Sequence, residues 1–153
     1  MTSAIFVCWG NICRSPMAEQ VAREWAARDG VEAAFTSAGV SAEESGNPID
    51  SRAAGVLRQA GYPVTPHRAH RITADEIRRA DLVVGMEQLH LDRMRRLVPD
   101  ADNLALLTDF DPDASPGDPV DDPWYGPPSG FRDTLASVEA AMPALMARLR
   151  ELA

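Results

Sequence analysis

Lysine is absent from this chain, so all 15 basic residues are arginine. Cysteine is nearly absent: two in 153 residues are too few for a disulfide scaffold. No apolar run approaches the roughly 20 residues that span a bilayer. The apolar stretch from Ala4 to Cys8 is too short for a signal peptide and has no basic leader. These absences point to a soluble protein of a reducing compartment, expected to be cytoplasmic, with leaderless secretion left open.

Positive charge is also in deficit, with 23 Asp+Glu against 15 Arg and a net charge of −8. Such a surface repels nucleic-acid backbone and anionic lipid, so neither nucleic acid nor membrane is expected as a partner. The deficit is local. Six aspartates and no arginine lie between Asp109 and Asp122, leaving 17 acids against 15 bases elsewhere. Asp109, Asp111, Asp113 and Asp118 read as solvated loop charges. The first three have calcium-loop spacing, but Ala114 stands where that loop needs Gly and Val120 where it needs Glu. No metal and no cofactor are expected.

The chain does have a substantial apolar fraction, 45%, at a length suited to one domain over residues 1–153. Ala4–Val7 is a short apolar run that reads as a buried strand, as do Ala34–Ala38, Leu82–Met86 and Leu104–Leu107. Between them fall amphipathic patterns. Ala18, Val21, Ala22 and Trp25 mark a helix with Ser15 as its cap and Pro16 as its first residue, ending near Gly30. Asp50–Ala60, Thr73–Arg79 and Glu87–Val98 follow, with Thr73 and Glu76 at capping-box spacing. After a Pro- and Asp-rich loop over Thr108–Pro128, a last helix starts near Ser129. Its stripe of Phe131, Leu135, Val138, Met142, Leu145, Leu149 and Leu152 fits a coiled-coil seam or, better, a face laid on a sheet, with a kink expected at Pro143. Alternating strands and helices predict an α/β fold: a single doubly wound domain with a four-stranded parallel sheet and helices on both faces. Ligands then bind outside the carboxyl ends of the strands, where the first strand ends at Cys8.

The segment there reads Cys8-Trp9-Gly10-Asn11-Ile12-Cys13-Arg14-Ser15. Gly10 and Asn11 suit tight or left-handed backbone. Free N–H groups at a helix start form an anion site, and the same field favours a thiolate at Cys8. Arg14 offers a planar fork for two oxygens of one phosphate. Ser15 can donate a hydrogen bond to the thiolate. Cysteine followed six residues later by arginine is weak by itself. The alternative is a buried Cys8 at a strand end and a surface Arg14. The strand before, the helix after and the residues between favour a phosphate loop.

Cys8-Trp9-Gly10-Asn11-Ile12-Cys13-Arg14-Ser15-Pro16 closely resembles the phosphate loop of the low-molecular-weight protein tyrosine phosphatases. The resemblance continues through Thr36-Ser37-Ala38-Gly39, Arg52-Ala53-Ala54-Gly55-Val56-Leu57, His67 and Asp121-Asp122-Pro123-Trp124-Tyr125-Gly126, in family order. It implies a phosphatase acting on phosphotyrosine proteins or peptides and small aryl phosphates, with inorganic phosphate as product. Cys8 would be the nucleophile and form a phosphocysteine, with Arg14 stabilising the transferred group and Asp122 as general acid. Phosphate binding would fall to Trp9, Gly10, Asn11, Ile12, Cys13, Arg14 and Ser15. Asn11, Ser15, Ser37 and His67 would brace the loop. Trp124 and Tyr125 would wall the substrate ring, or else pack their loop down. Repulsion from Asp121 is expected to favour the protonated form of Asp122. Cys13 would guard Cys8 through a reversible disulfide, or else fill space as a small buried residue. His70 and His90 belong to no motif and read as surface residues.

Two departures bear on specificity. Trp9 stands where the family usually has a smaller residue, and is expected to add a second ring wall. Glu43-Glu44 falls where an aromatic residue is common, and acid there is expected to disfavour acidic phosphopeptides. Among competing readings, arsenate reduction in this fold needs further cysteines beyond Cys8 and Cys13. Phosphoarginine hydrolysis goes with Thr in place of Ile12. A non-catalytic phosphate-binding module would not need Cys8, Arg14 and Asp122 together.

Overall fold

The computed structural model describes all 153 residues. Four parallel strands form one sheet: β1 (Thr2–Cys8), β2 (Ala33–Gly39), β3 (Leu82–Gly85) and β4 (Leu104–Leu106), in the order β2-β1-β3-β4. Five helices connect and cover them: α1 (Arg14–Asp29), α2 (Ser51–Gln59), α3 (Ala74–Arg79), α4 (Gln88–Leu97) and α5 (Gly130–Leu152). Two short helical turns, Leu107–Phe110 and Pro123–Tyr125, interrupt the acidic loop. No helix is long and apolar enough to cross a membrane.

The period of β1 explains the layering. Ala4, Phe6 and Cys8 face a core shared with α1, α2 and α5, while Ile5 and Val7 face a second core with α3 and α4. The chain leaves β1 for β2 on one side and returns to β3 on the other. The crevice at the carboxyl ends of β1 and β3 is the topological switch point of the sheet, and Cys8 lies at its mouth.

Thr73 and Glu76 form the expected capping box. Ser15 differs from expectation. Helix α1 begins two residues earlier, with Cys13 at the cap position and no side-chain cap bond. The Ser15 hydroxyl is turned back to Cys8 and Asn11 instead. Pro16 then sits third in the helix, where no intrahelical N–H is needed. Helix α5 runs through Pro143 as a single element. Pro143 faces solvent, and its neighbours Met142, Leu145 and Met146 are locked in the core, so one missing N–H bond does not end the helix. The stripe on α5 is the core face, not a coiled-coil seam. His90 is not a surface residue: it is completely buried, because the first turn of α4 packs it against the end of β3.

Candidate active site

The loop from Trp9 to Cys13 leaves β1 and curls into α1. Asn11 turns it with φ of 61°, the single non-glycine residue in left-handed backbone. No N–H from Trp9 to Cys13 donates to a protein acceptor. Five successive free donors at a helix start form a nest for an anion. The end of β2 supports this loop from below: Val40 N–H donates to Cys8 O and Ser41 N–H to Trp9 O, both at 3.0 Å. The approach is close enough that a Cβ on Gly39 would lie 2.7 Å from Trp9 O and 3.2 Å from Asn11 N.

A chain of side chains holds the loop. The Ser15 hydroxyl lies 3.0 Å from Cys8 Sγ. Asn11 Nδ2 donates to Ser15 Oγ at 2.8 Å and to Ser37 Oγ at 3.0 Å. Ser37 donates onward to Glu19 at 2.6 Å, and Glu19 pairs with Arg23 at 2.7 Å. Asn11 Oδ1 accepts from His70 N–H. A carbonyl oxygen only accepts, so His67 Nε2 donates to Asn11 O, at 2.6 Å. The structure thus brings Asn11, Ser15, Ser37 and His67 together under Cys8. His70 itself stays exposed and pairs with Glu76.

Arg14 is 2% exposed, an arginine almost wholly inside the protein. Its Nη1 donates to Val120 O at 2.8 Å, and Val120 N–H donates to Met86 O at 2.8 Å. Glu87 Oε1 lies 3.7 Å from Nη1, and Asp122 Oδ2 lies 3.5 Å from Nη2. Asp122 also caps the turn that follows it, accepting from Trp124 N–H. The charge beside Asp122 is therefore the positive one of Arg14, and not only the Asp121 carboxylate expected from sequence.

Cys8, Arg14 and Asp122 share one open cleft with Gly10, Ile12 and Cys13, with about 500 Å³ of empty space including its mouth. Trp9 forms one wall. Its indole N–H reaches Glu43 at 3.4 Å, and the Arg93 guanidinium covers its ring at 4.7 Å. Trp124 and Tyr125 also line the cleft, and Tyr125 is 90% exposed. Trp124 is anchored from behind: Arg52 stacks between it and Phe131, at 5.0 and 4.6 Å, and is tied to Asp50. Glu44 lines the cleft beside Glu43.

A model of the low molecular weight phosphotyrosine protein phosphatase family matches residues 3–152. This chain belongs to that family. It is 41% identical over 143 residues to low molecular weight protein-tyrosine phosphatase A of Mycobacterium tuberculosis, covering 92% of this chain and 86% of the relative. It is 43% identical over 154 residues to a low molecular weight protein-tyrosine-phosphatase of Streptomyces coelicolor, with 95% and 92% covered. A solved protein tyrosine phosphatase of Entamoeba histolytica superposes with a TM-score of 0.92 at 26% identity, over 99% of this chain and 98% of that one. The α/β fold, and the class of phosphoric monoester hydrolase, are those of the family.

Cys13 and Cys8 are both free thiols here. Burial pushes the Cys13 thiol above the ordinary thiol range, and the negative charge of Asp50 adds to this. Three residues at this phosphatase site escaped the sequence reading. Val120 holds Arg14 through its backbone, which no side-chain pattern signals. Arg52 lay within a quoted motif, but its stacking partner is 72 positions away. Glu87 was taken only as a helix start.

Proposed function

We propose that residues 1–153 act as one domain that hydrolyses phosphotyrosine in proteins or peptides, and small aryl phosphates, through a phosphocysteine. The observation that carries this reading is the nest of free N–H groups from Trp9 to Cys13, with the Cys8 sulfur and the buried Arg14 converging on it. Cys8 Sγ attacks phosphorus as the thiolate, steadied by the Ser15 hydroxyl. The S–P bond forms, the P–O ester bond breaks, and Asp122 gives its proton to the departing phenolate oxygen. The loop amides and Arg14 hold the three equatorial oxygens as charge shifts between them. In the second half, the Asp122 carboxylate takes a proton from water as that water attacks phosphorus. The S–P bond breaks, the thiolate returns and inorganic phosphate leaves.

Trp9 and Trp124 are walls suited to a flat phenyl group, and Ile12 adds an apolar contact that a guanidinium would not favour. Phosphotyrosine is therefore preferred over the phosphoserine ester and over phosphoarginine, a phosphoramidate. A peptide panel carrying each of the three, tested on wild type, Cys8→Ser and Asp122→Ala, checks this. Turnover of phosphotyrosine should vanish in Cys8→Ser. In Asp122→Ala it should fall most with poor leaving groups. Residual activity in Cys8→Ser refutes the mechanism, and preferential phosphoarginine turnover refutes the substrate assignment.

A further inference from the structure

No residue of helix α4 lines the cleft, Arg93 reaching it only as cover for Trp9, yet the start of the helix lies beside Arg14. His90 Nδ1 accepts from two backbone N–H groups, those of Met86 and Glu87, each at 3.2 Å. With Nδ1 accepting, the ring proton is on Nε2. That N–H is buried and meets no hydrogen-bond acceptor. Glu87 Oε1 lies 3.6 Å from it, and the same oxygen lies 3.7 Å from Arg14 Nη1. Glu87 thus stands between a guanidinium and an imidazole N–H. The seat is tight: a Cβ on Gly85 would meet His90 Cβ at 3.3 Å.

A second connection runs through the backbone. His90 holds the Met86 N–H, Met86 O accepts from Val120 N–H, and Val120 O accepts from Arg14. Val120 lies two residues before Asp122. One buried ring therefore supports both the arginine and the root of the acid loop.

We propose that His90 and Glu87 are positioning residues for phosphoryl transfer, fixing the plane of the Arg14 guanidinium and its separation from Asp122. The inference rests on the reading of Arg14 as the phosphate-holding arginine. A neutral imidazole suits the task, since it supplies one acceptor and one donor without adding charge beside Arg14. Burial, assisted by the positive charge of Arg14, pushes the His90 pKa down to about 3, which keeps the ring neutral. Glu87 offsets part of the Arg14 charge and resists its movement toward a bound dianion.

The test measures kcat and KM for an aryl phosphate, and Ki for inorganic phosphate, in wild type, Glu87→Gln, His90→Asn and His90→Ala. Glu87→Gln should lower kcat about tenfold while also lowering Ki, because ground-state phosphate then meets a less offset guanidinium. His90→Ala should lower kcat by roughly 10–100-fold, the usual range for removing a group that orients a functional side chain. His90→Asn keeps an acceptor for the Met86 and Glu87 N–H groups and should restore kcat to within about threefold of wild type. Should His90→Ala fail to fold, the half-exposed Glu87→Gln still decides. Unchanged kcat and Ki in Glu87→Gln overturns the proposal, as does a rise in KM and Ki with kcat intact, or a folded His90→Ala with wild-type kcat. Activity in Cys8→Ser is a separate failure, one of the phosphocysteine reading itself.

Discussion

Replacing Gly39 by alanine probes how tightly the phosphate loop is seated. The new Cβ would lie 2.7 Å from Trp9 O, 3.1 Å from Gly10 C and 3.2 Å from Asn11 N. All three are backbone atoms, so no side-chain rotation relieves the contact. Restoring an ordinary 3.4 Å contact to Trp9 O needs 3.4 − 2.7 = 0.7 Å of movement. Overpacking of this kind costs about 1–3 kcal/mol, which for a chain of this size lowers the unfolding midpoint by roughly 2–12 °C. The shift falls on the nest that receives phosphate. A misplacement of about 1 Å can cost on the order of 100-fold in rate, so Gly39→Ala should lose roughly tenfold or more in kcat/KM for an aryl phosphate. Gly55→Ala is the control. Its Cβ meets nothing within 4 Å on a helix, and it should leave kcat/KM unchanged while adding roughly 0.5–1 kcal/mol of stability. Steady-state kinetics with thermal unfolding of both variants make the comparison. Wild-type kinetics in Gly39→Ala would show that the loop is loosely held and that β2 does not position it.

His90 makes stability depend on pH. Its folded pKa, about 3, lies below the ordinary 6.5, so the unfolded chain takes up this proton first and stability is lost as pH falls below about 6.5. The charged groups facing the ring are Arg14 and Glu87. Between pH 7 and pH 4.5 the unfolding free energy of wild type should drop by roughly 2–3 kcal/mol more than that of His90→Asn, and a difference flat with pH in denaturant titrations refutes the assignment. The double change Glu43→Gln with Glu44→Gln should shift preference toward acidic phosphopeptides, read as the kcat/KM ratio for acidic against basic peptides at low salt; an unchanged ratio removes the rim charge from specificity. Mild peroxide should convert Cys8 to a sulfenic acid that the Cys13 thiol displaces with loss of water, giving a Cys8–Cys13 crosslink by mass spectrometry. Finding only sulfinic acid at Cys8 rules out that guard.

Legibility in the sequence followed contact distance along the chain. The loop from Cys8 to Ser15 is contiguous, so its chemistry, its left-handed Asn11 and the strand and helix around it could be read directly. Ser15 was misassigned as a cap because a Ser-Pro pair carries a strong local signal. The partners that capture its hydroxyl, Cys8 and the Ala38 carbonyl, lie 7 and 23 residues away. His90 was read as superficial because it belongs to no motif. It lies one turn before Met94 on the buried face of α4, and its partners there, the N–H groups at the end of β3, are set by how that helix packs. The like-charge environment expected for Asp122 considered only neighbours in the chain, whereas Arg14 reaches it from 108 positions away.

The sequence by itself determined the layered α/β architecture, because apolar periodicity and turn residues act locally. It also determined the chemistry of the loop, because nucleophile, guanidinium and free amides lie within eight residues. The −8 net charge describes the surface as a whole and does not bear on one phosphate held by the loop amides. Tertiary structure alone decided how that nest is held. Gly39 seats it from below, Val120 and Glu87 set the arginine, His90 secures both, and Arg52 anchors Trp124. The reason is that catalytic geometry is set by close packing between segments far apart in the chain, and packing distances are not a property of any local pattern.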